Sequence, residues 1–195
     1  MDNKDSQSPN GGEFIKPIFA TKVFSPEKTG KVNFGPYTEQ IYTLLAKLYD
    51  HRGQDESAQQ IFGQESLNTE ATYVVAFDGE KVIGFGMIES DEEIYGSKWK
   101  GWVGFGEAYV DEQYRQKGVY KKLVEERLHL ALESDAHRVV TKVLHPEQQF
   151  QVDYLKRLGF QEADPAQTPT SRDTDLYVLD LDELRKKNEE STSQS

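Results

Sequence analysis

Downstream of Gly35-Pro36-Tyr37, the apolar residues Ile41, Leu44, Leu45, Leu48 and Tyr49 return every three or four positions as far as Gly53. That spacing predicts an amphipathic helix opened by the Gly-Pro pair, and a shorter helix is expected around residues 57–62. The period then changes. TYVVAF (72–77) and KVIGFGMIE (81–89) are rich in β-branched and aromatic residues and flank Asp78-Gly79-Glu80, which predicts an antiparallel hairpin. In GWVGFGEAYV (101–110) strict alternation puts Val103, Phe105, Glu107 and Tyr109 on one face of a strand and Gly104, Gly106 and Ala108 on the other.

Helical spacing returns with Tyr120, Leu123, Val124, Leu128 and Ala131, predicting a helix over 116–133. VVTKVL (139–144) reads as a strand. Pro146 then opens a helix that turns Tyr154, Leu155 and Leu158 inward and stops at Gly159, and DLYVLDL (175–181) closes the series as a strand. The order is helix, helix, three strands, helix, strand, helix, strand. It predicts a mixed α/β fold with an antiparallel start and a strand-helix-strand unit in the middle. Residues 1–12 and 186–195 are polar and aperiodic, so they read as flexible tails on one domain spanning 13–185.

Composition narrows the function. The chain has 195 residues, suited to a single domain, and 23 Lys+Arg against 34 Asp+Glu leave a net charge of -11. Such a surface repels phosphate backbones and anionic lipid, so neither a nucleic-acid nor a membrane partner is expected. No apolar run reaches the ~20 residues of a membrane span, and MDNKDSQSPNGG (1–12) has neither the basic start nor the apolar middle of a secretory signal. A cytoplasmic location is the expectation. Cysteine is absent, which excludes disulfides, thiolate metal sites and an acyl-enzyme on sulfur. Histidines 51, 129, 137 and 145 lack ligand spacing and HExxH is missing, so no metal is expected.

Against this acidic background, Arg115 to Lys122 carries Arg115, Lys117, Lys121 and Lys122 with no acid among them, just where a strand turns through Gln116-Lys117-Gly118 into a helix. A helix start with glycine beside it offers backbone N–H groups and the positive end of the helix dipole, which together hold phosphate. A solvated helix end with ordinary basic residues fits the same letters. GxxxxGK[ST] is absent, and Gly84-Phe85-Gly86 and Gly104-Phe105-Gly106 lack the third glycine of a dinucleotide site.

The segment YVDEQYRQKGVYKKL (109–123) resembles the acyl-CoA signature of the GNAT acyltransferase superfamily, a strand running into Val-x-x-x-Tyr-Arg and then Arg/Gln-x-x-Gly-x-Gly/Ala. Leu158-Gly159-Phe160 is similar to the Gly-Phe landmark near the end of that fold, and the order of elements agrees from about Tyr37 to Leu181. The resemblance implies a mostly antiparallel sheet that splays at its fourth strand to admit a pantetheine arm. It implies backbone contacts to that arm from Ala108, Tyr109 and Val110, and a pyrophosphate cradle from Arg115, Gln116, Lys117, Gly118, Val119 and Tyr120. It further implies acetyl-CoA as cosubstrate, an amine acceptor that is a small molecule, an amino acid or a protein amino group, and a homodimer. The sequence departs from the family at three positions. Tyr120 stands where Gly or Ala is usual, Leu155 stands where many members carry an acidic tyrosine, and Gln148 replaces a common Asn.

Acetyl transfer to an alkyl ammonium needs a base, since the amine pKa lies near about 10. With no cysteine and no GxSxG, direct attack of the amine on the thioester is the remaining route. Glu107, three residues before the cofactor segment, is the candidate base. Tyr154 is the candidate acid or proton relay, and His145 a weaker one. Glu89-Ser90-Asp91-Glu92-Glu93 is a candidate attractor for a cationic acceptor, with Trp99 and Trp102 beyond it as pocket or edge residues. The acceptor face is expected from residues 50–64, 89–100 and 163–173. A non-catalytic acyl-CoA-binding module, or an enzyme using another phosphorylated cofactor in the same loop, stays open.

Overall fold

The computed structural model describes residues 19–27, 32–51, 71–90, 100–144, 149–163 and 174–193. Strand β1 (Ala20–Phe24) opens the fold, and a 3-10 turn over Gly35–Tyr37, with Pro36 inside it, leads into α1 (Thr38–His51). The hairpin follows as β2 (Thr72–Asp78) and β3 (Lys81–Ser90), with Gly79 at φ +61° in the turn between them. Then come β4 (Trp102–Val110), α2 (Val119–Glu133), β5 (Arg138–Leu144) and α3 (Gln149–Arg157). The short β6 (Gln161–Glu162), β7 (Thr174–Asp180) and α4 (Leu181–Thr192) complete the chain.

These strands form one sheet in the order β1-β2-β3-β4-β5-β7-β6. Every neighbouring pair is antiparallel except β4 and β5, which run parallel. A parallel pair needs a long crossover, and here the Asp111–Gly118 loop and α2 supply it. The fold is therefore the mixed, mostly antiparallel α/β architecture expected from the sequence.

Two layers of helix cover the sheet. On one face, Ile41, Leu44, Leu45, Leu48 and Tyr49 of α1 pack on Tyr73, Val75, Phe77, Phe85, Met87 and Tyr109. On the other, Val119 and Leu123 of α2 cover Val74, Ala76, Ile83 and Val110. Farther along the same face, Val124 and Ala131 join Val152 and Leu155 of α3 over Phe105, Val139, Val143, Tyr177 and Leu179. Each such side chain, fully buried, contributes roughly 1.5–3 kcal/mol relative to exposure.

Strict alternation fails in β4. Gly86 pairs with Ala108 but Ile88 pairs with Phe105, so Gly106 and Glu107 together oppose Met87 alone. This bulge resets the pleat. Phe105 and Tyr109, expected on one face, lie on opposite faces, Phe105 under α2 and α3 and Tyr109 under α1.

The C-terminal segment is corrected too. Instead of a flexible tail from residue 186, α4 runs from Leu181 to Thr192. Asp180 caps it by accepting from the Glu183 N–H, Leu181 is buried, and Lys187 pairs with Glu183 one turn back. Arg185 fastens it by donating to the carbonyls of Ala131, Leu132, Ser134 and Ala136, the C-terminal end of α2 and the turn beyond it. The expected helix at 57–62 and the N-terminal tail lie outside the described residues.

Candidate functional site

The sheet opens between its parallel strands. Trp102 to Phe105 of β4 pair with Arg138 to Thr141 of β5, and among the described residues the ladder ends there. At that last pair the Thr141 hydroxyl also donates to the Phe105 carbonyl, 3.3 Å away. Beyond it, Glu107–Val110 and Lys142–Leu144 part. On its other edge β4 stays paired with β3, and the Asp111 N–H bonds the Ile83 carbonyl at 2.9 Å. Alternation along an antiparallel ladder then turns the backbone groups of Tyr109 toward β3 and those of Ala108 and Val110 toward the gap. The Val110 carbonyl accepts from Arg115 Nε at 3.3 Å, in keeping with that orientation.

At the open end of the gap the chain leaves β4 through Asp111, which is buried and does two jobs. It caps the turn at Glu112–Tyr114 by accepting from the Gln113 N–H, and it pairs with Lys47 of α1 at 3.0 Å. Burial works against the charged carboxylate, but the Lys47 bond and the Gln113 N–H outweigh it and hold Asp111 below the usual range. The loop then folds back through Gln116 at φ +61° and Gly118 at φ +84°. Gln116 is the single non-glycine residue at positive φ among the described residues, and alternating hand of this kind turns successive N–H groups to one side. Gly118 is the N-cap of α2 with no side-chain cap bond, and the space beside its Cα is open. Arg115, Gln116, Lys117 and Gly118 are exposed while Val119 is buried. Lys117 and Lys81 lie over the Tyr114 ring at 5.1 and 4.9 Å, and Arg115 over Tyr109 at 5.5 Å.

Tyr120 turns inward. Its ring meets Phe150 at 6.1 Å and Tyr154 at 6.3 Å, edge to face, bridging the cleft between α2 and α3. Beside its hydroxyl lies the guanidinium of Arg127, which is 2% exposed. Arg127 donates to the Leu123 and Met87 carbonyls and covers the Phe105 ring at 4.6 Å. Gly86 makes the room, since a Cβ there would come within 2.9 Å of the guanidinium. Nothing in the sequence pattern marked Arg127, which sits on the buried stripe of α2 where a leucine would pass unnoticed. Its only trace is the small residue opposite.

Tyr154 has a buried hydroxyl with no hydrogen-bond partner among the described residues. Burial first, then the Glu125 carboxylate, pushes its phenol up to about 12. Leu155, at the position of the family tyrosine, is core. Glu107 is half-buried on the bulge. Glu89, expected at the end of a strand and as the first residue of an acidic run that attracts a cationic acceptor, is packed against the bulge, its carboxyl 2.8 Å from where a Gly106 Cβ would stand. Burial raises it, and the Glu107 charge raises it further, against Lys142. His145, Gln148 and Trp99 lie outside the described residues, as do 52–70, 91–99 and 164–173, which hold most of the expected acceptor face. No helix among the described residues is long and apolar enough to cross a membrane, and no group of three or more acidic or histidine ligands is placed to hold a metal ion.

Two parallel strands that part beside a bulge, with a cationic, glycine-hinged helix start at the open end, define a mixed α/β domain split along its β4–β5 seam. The chain belongs to the GNAT acetyltransferase family, whose model matches residues 38–160. No curated protein matches it. Among solved structures it is similar to PaiA N-acetyltransferase from Thermoplasma acidophilum in complex with coenzyme A, at 14% identity over 84% of this chain and 99% of that one, with a TM-score of 0.60. It is equally similar to a GNAT acetyltransferase from Staphylococcus aureus Mu50, at 14% identity, 83% and 99% coverage and a TM-score of 0.59. Aminoglycoside 6'-acetyltransferase type Ii gives 14% identity, 83% and 97% coverage and 0.61.

Proposed function

We propose that this protein is an N-acetyltransferase that moves an acetyl group from acetyl-CoA to a primary amine by direct attack, without an acyl-enzyme. The observation that carries the reading is the gap beyond Phe105 and Thr141, which leaves the backbone of Ala108 and Val110 turned to it and ends at the Arg115–Tyr120 loop. From Val110 back to Phe105 is five residues of strand, about 16 Å, the scale of an extended pantetheine. The orphaned Tyr154 hydroxyl in the adjoining cleft is a donor that such an arm would satisfy.

In this reading Gln116, Lys117, Gly118 and Val119 hold the pyrophosphate with backbone N–H groups, and Arg115 and Lys117 add charge. Tyr120 does not obstruct them, because its ring points into the α2–α3 cleft. The thioester supplies an activated acyl carbon. Glu107, with Glu89 beside it, takes the proton of the incoming ammonium, and their paired charge favours a cationic acceptor. A phenol of the α2–α3 cleft, Tyr154 by the sequence argument, returns a proton to the leaving sulfur. Aminoglycosides, small amines, amino acids and protein amino groups all present the required nucleophile.

The test is acetyl-CoA-dependent thiol release with an amine panel of L-lysine, putrescine and kanamycin, comparing wild type with Glu107→Gln. Release that falls at least tenfold in the variant is expected. An alternative reading, a binding module that has lost turnover, draws on Leu155 at the tyrosine position and is favoured if acetyl-CoA binds while no amine releases thiol.

A further inference from the structure

Arg127 is 2% exposed, and no carboxylate pairs with it among the described residues. A buried charge without a counter-ion costs stability, and a leucine on the same stripe of α2 would avoid that cost. The reason for a guanidinium lies in where its contacts fall, for outside its own helix they surround the β4 bulge.

Nη1 donates to the Met87 carbonyl at 3.4 Å, and Met87 is the one residue of β3 that faces both Gly106 and Glu107. The guanidinium carbon lies 4.6 Å from the centre of the Phe105 ring, immediately before the bulge. Gly86, where a Cβ would come within 2.9 Å of the guanidinium, pairs with Ala108 immediately after it. Nε bonds the Leu123 carbonyl one turn back on α2 and so fixes the plane of the group. One planar group thus meets the residue opposite the bulge, the residue before it and the partner of the residue after it.

This bulge decides where Glu107 stands. Counted forward from Phe105, which lies under α2 and α3, strict alternation would put Glu107 on that same face. Counted back from Tyr109, which lies under α1, Glu107 falls on the α1 face. Glu89, two positions beyond Met87, shares the α1 face. Its carboxyl lies against Gly106, close enough to Glu107 for that charge to raise it. Arg127 therefore holds the bulge from the α2 side, while the bulge delivers its carboxylate to the opposite side, at the point where β4 and β5 part.

We propose that Arg127 is the positioning residue for Glu107. By holding the Met87 carbonyl and the Phe105 ring it fixes the bulge, and with it the place of the Glu107 carboxylate at the opening of the gap. Its effect passes through the backbone of β3 and β4. This rests on the reading of Glu107 as the base of an acetyltransferase.

The experiment is a double-mutant cycle on kcat, read by thiol release with the same amine panel, over wild type, Arg127→Met, Glu107→Gln and the two combined. Acetyl-CoA affinity is measured by calorimetry, and urea unfolding shows whether each variant folds. Arg127→Met is expected to lower kcat about tenfold or more with affinity within about threefold of wild type. With Gln already at 107 the same change should lower kcat by less than about twofold, because residues that act as a unit are not additive. Should Arg127→Met fail to fold, Arg127→Lys, which keeps a donor but loses the planar group, goes through the same cycle with the same expectation. An equal loss in both backgrounds, or a wild-type kcat in the Arg127 variant that folds, overturns the proposal and leaves the acetyltransferase reading intact. So does failure of both Arg127 variants to fold, which would make the residue part of the fold alone. A wild-type kcat in Glu107→Gln removes Glu107 as the base and the proposal with it. Absence of thiol release by wild type with every amine overturns the acetyltransferase reading as well.

Discussion

The two ends of β4 are made of the same strand and behave differently. From Val103 to Phe105 it is paired on both edges, and the side chains of Val103 and Phe105 pack into the core. From Glu107 to Val110 it is paired on the β3 edge only, the bulge has shifted its pleat, and its neighbours are Glu89, Lys142 and a cationic loop. Ladder bonds hold the first half on both edges, whereas the second half is laddered to β3 alone and turns the backbone of Ala108 and Val110 toward the gap.

The contrast can be broken most severely at the open end. Gly118→Val forces a β-branched residue to φ +84°, a strain of about 1–3 kcal/mol. It should raise the acetyl-CoA dissociation constant by more than tenfold, measured by calorimetry. At the closed end, Gly86→Val drives a side chain into Arg127 and should destabilise the fold by about 1–3 kcal/mol in urea unfolding. Arg185→Ala removes the clasp of α4 on the end of α2, far from the gap. Its expected cost is about 1–2 kcal/mol, with acetyl-CoA affinity unchanged.

The smallest expected effect is a pH dependence at Asp111, where the chain leaves the open half of β4. Asp111 is held below its ordinary pKa of 3.8 by Lys47 and the Gln113 N–H. A carboxylate depressed on folding adds stability that is present above the unfolded pKa and is lost as pH falls through the folded one. Asp111→Asn should therefore cost about 1–2 kcal/mol at pH 7 and progressively less below pH 3.8, shown by urea unfolding across that range.

The strands and helices of the middle of the chain were legible because their periods are clean. Gly159 ends α3 as its place in the pattern implied, with Phe160 N–H on the Leu155 carbonyl and φ +96° at the glycine. β1 was missed because Ala20-Thr21-Lys22-Val23-Phe24 is short and lies mostly exposed on a sheet edge, so it has no alternation to show. α4 was missed because its stability comes from a cap and from Arg185 rather than from an apolar stripe. In the candidate site, the turn through Gln116 and Gly118 into α2 was readable from the glycine and the cations around it, because local backbone geometry sets it. The bulge at Gly106 and Glu107, the burial of Glu89 and the seating of Arg127 on Gly86 and Phe105 were not, since each depends on partners 17 to 41 positions away, in contacts that only the folded sheet creates.

The most direct measurement is thermal unfolding of the full chain with acetyl-CoA, with dephospho-CoA and ATP alongside. A ligand confined to the folded state adds about 2.7 kcal/mol at 100 times its dissociation constant. A clear rise in Tm with acetyl-CoA, lost in Gly118→Val, is expected of a gap built to hold it. An unchanged Tm at saturating acetyl-CoA would mean that the parted strands retain the family fold without its cosubstrate.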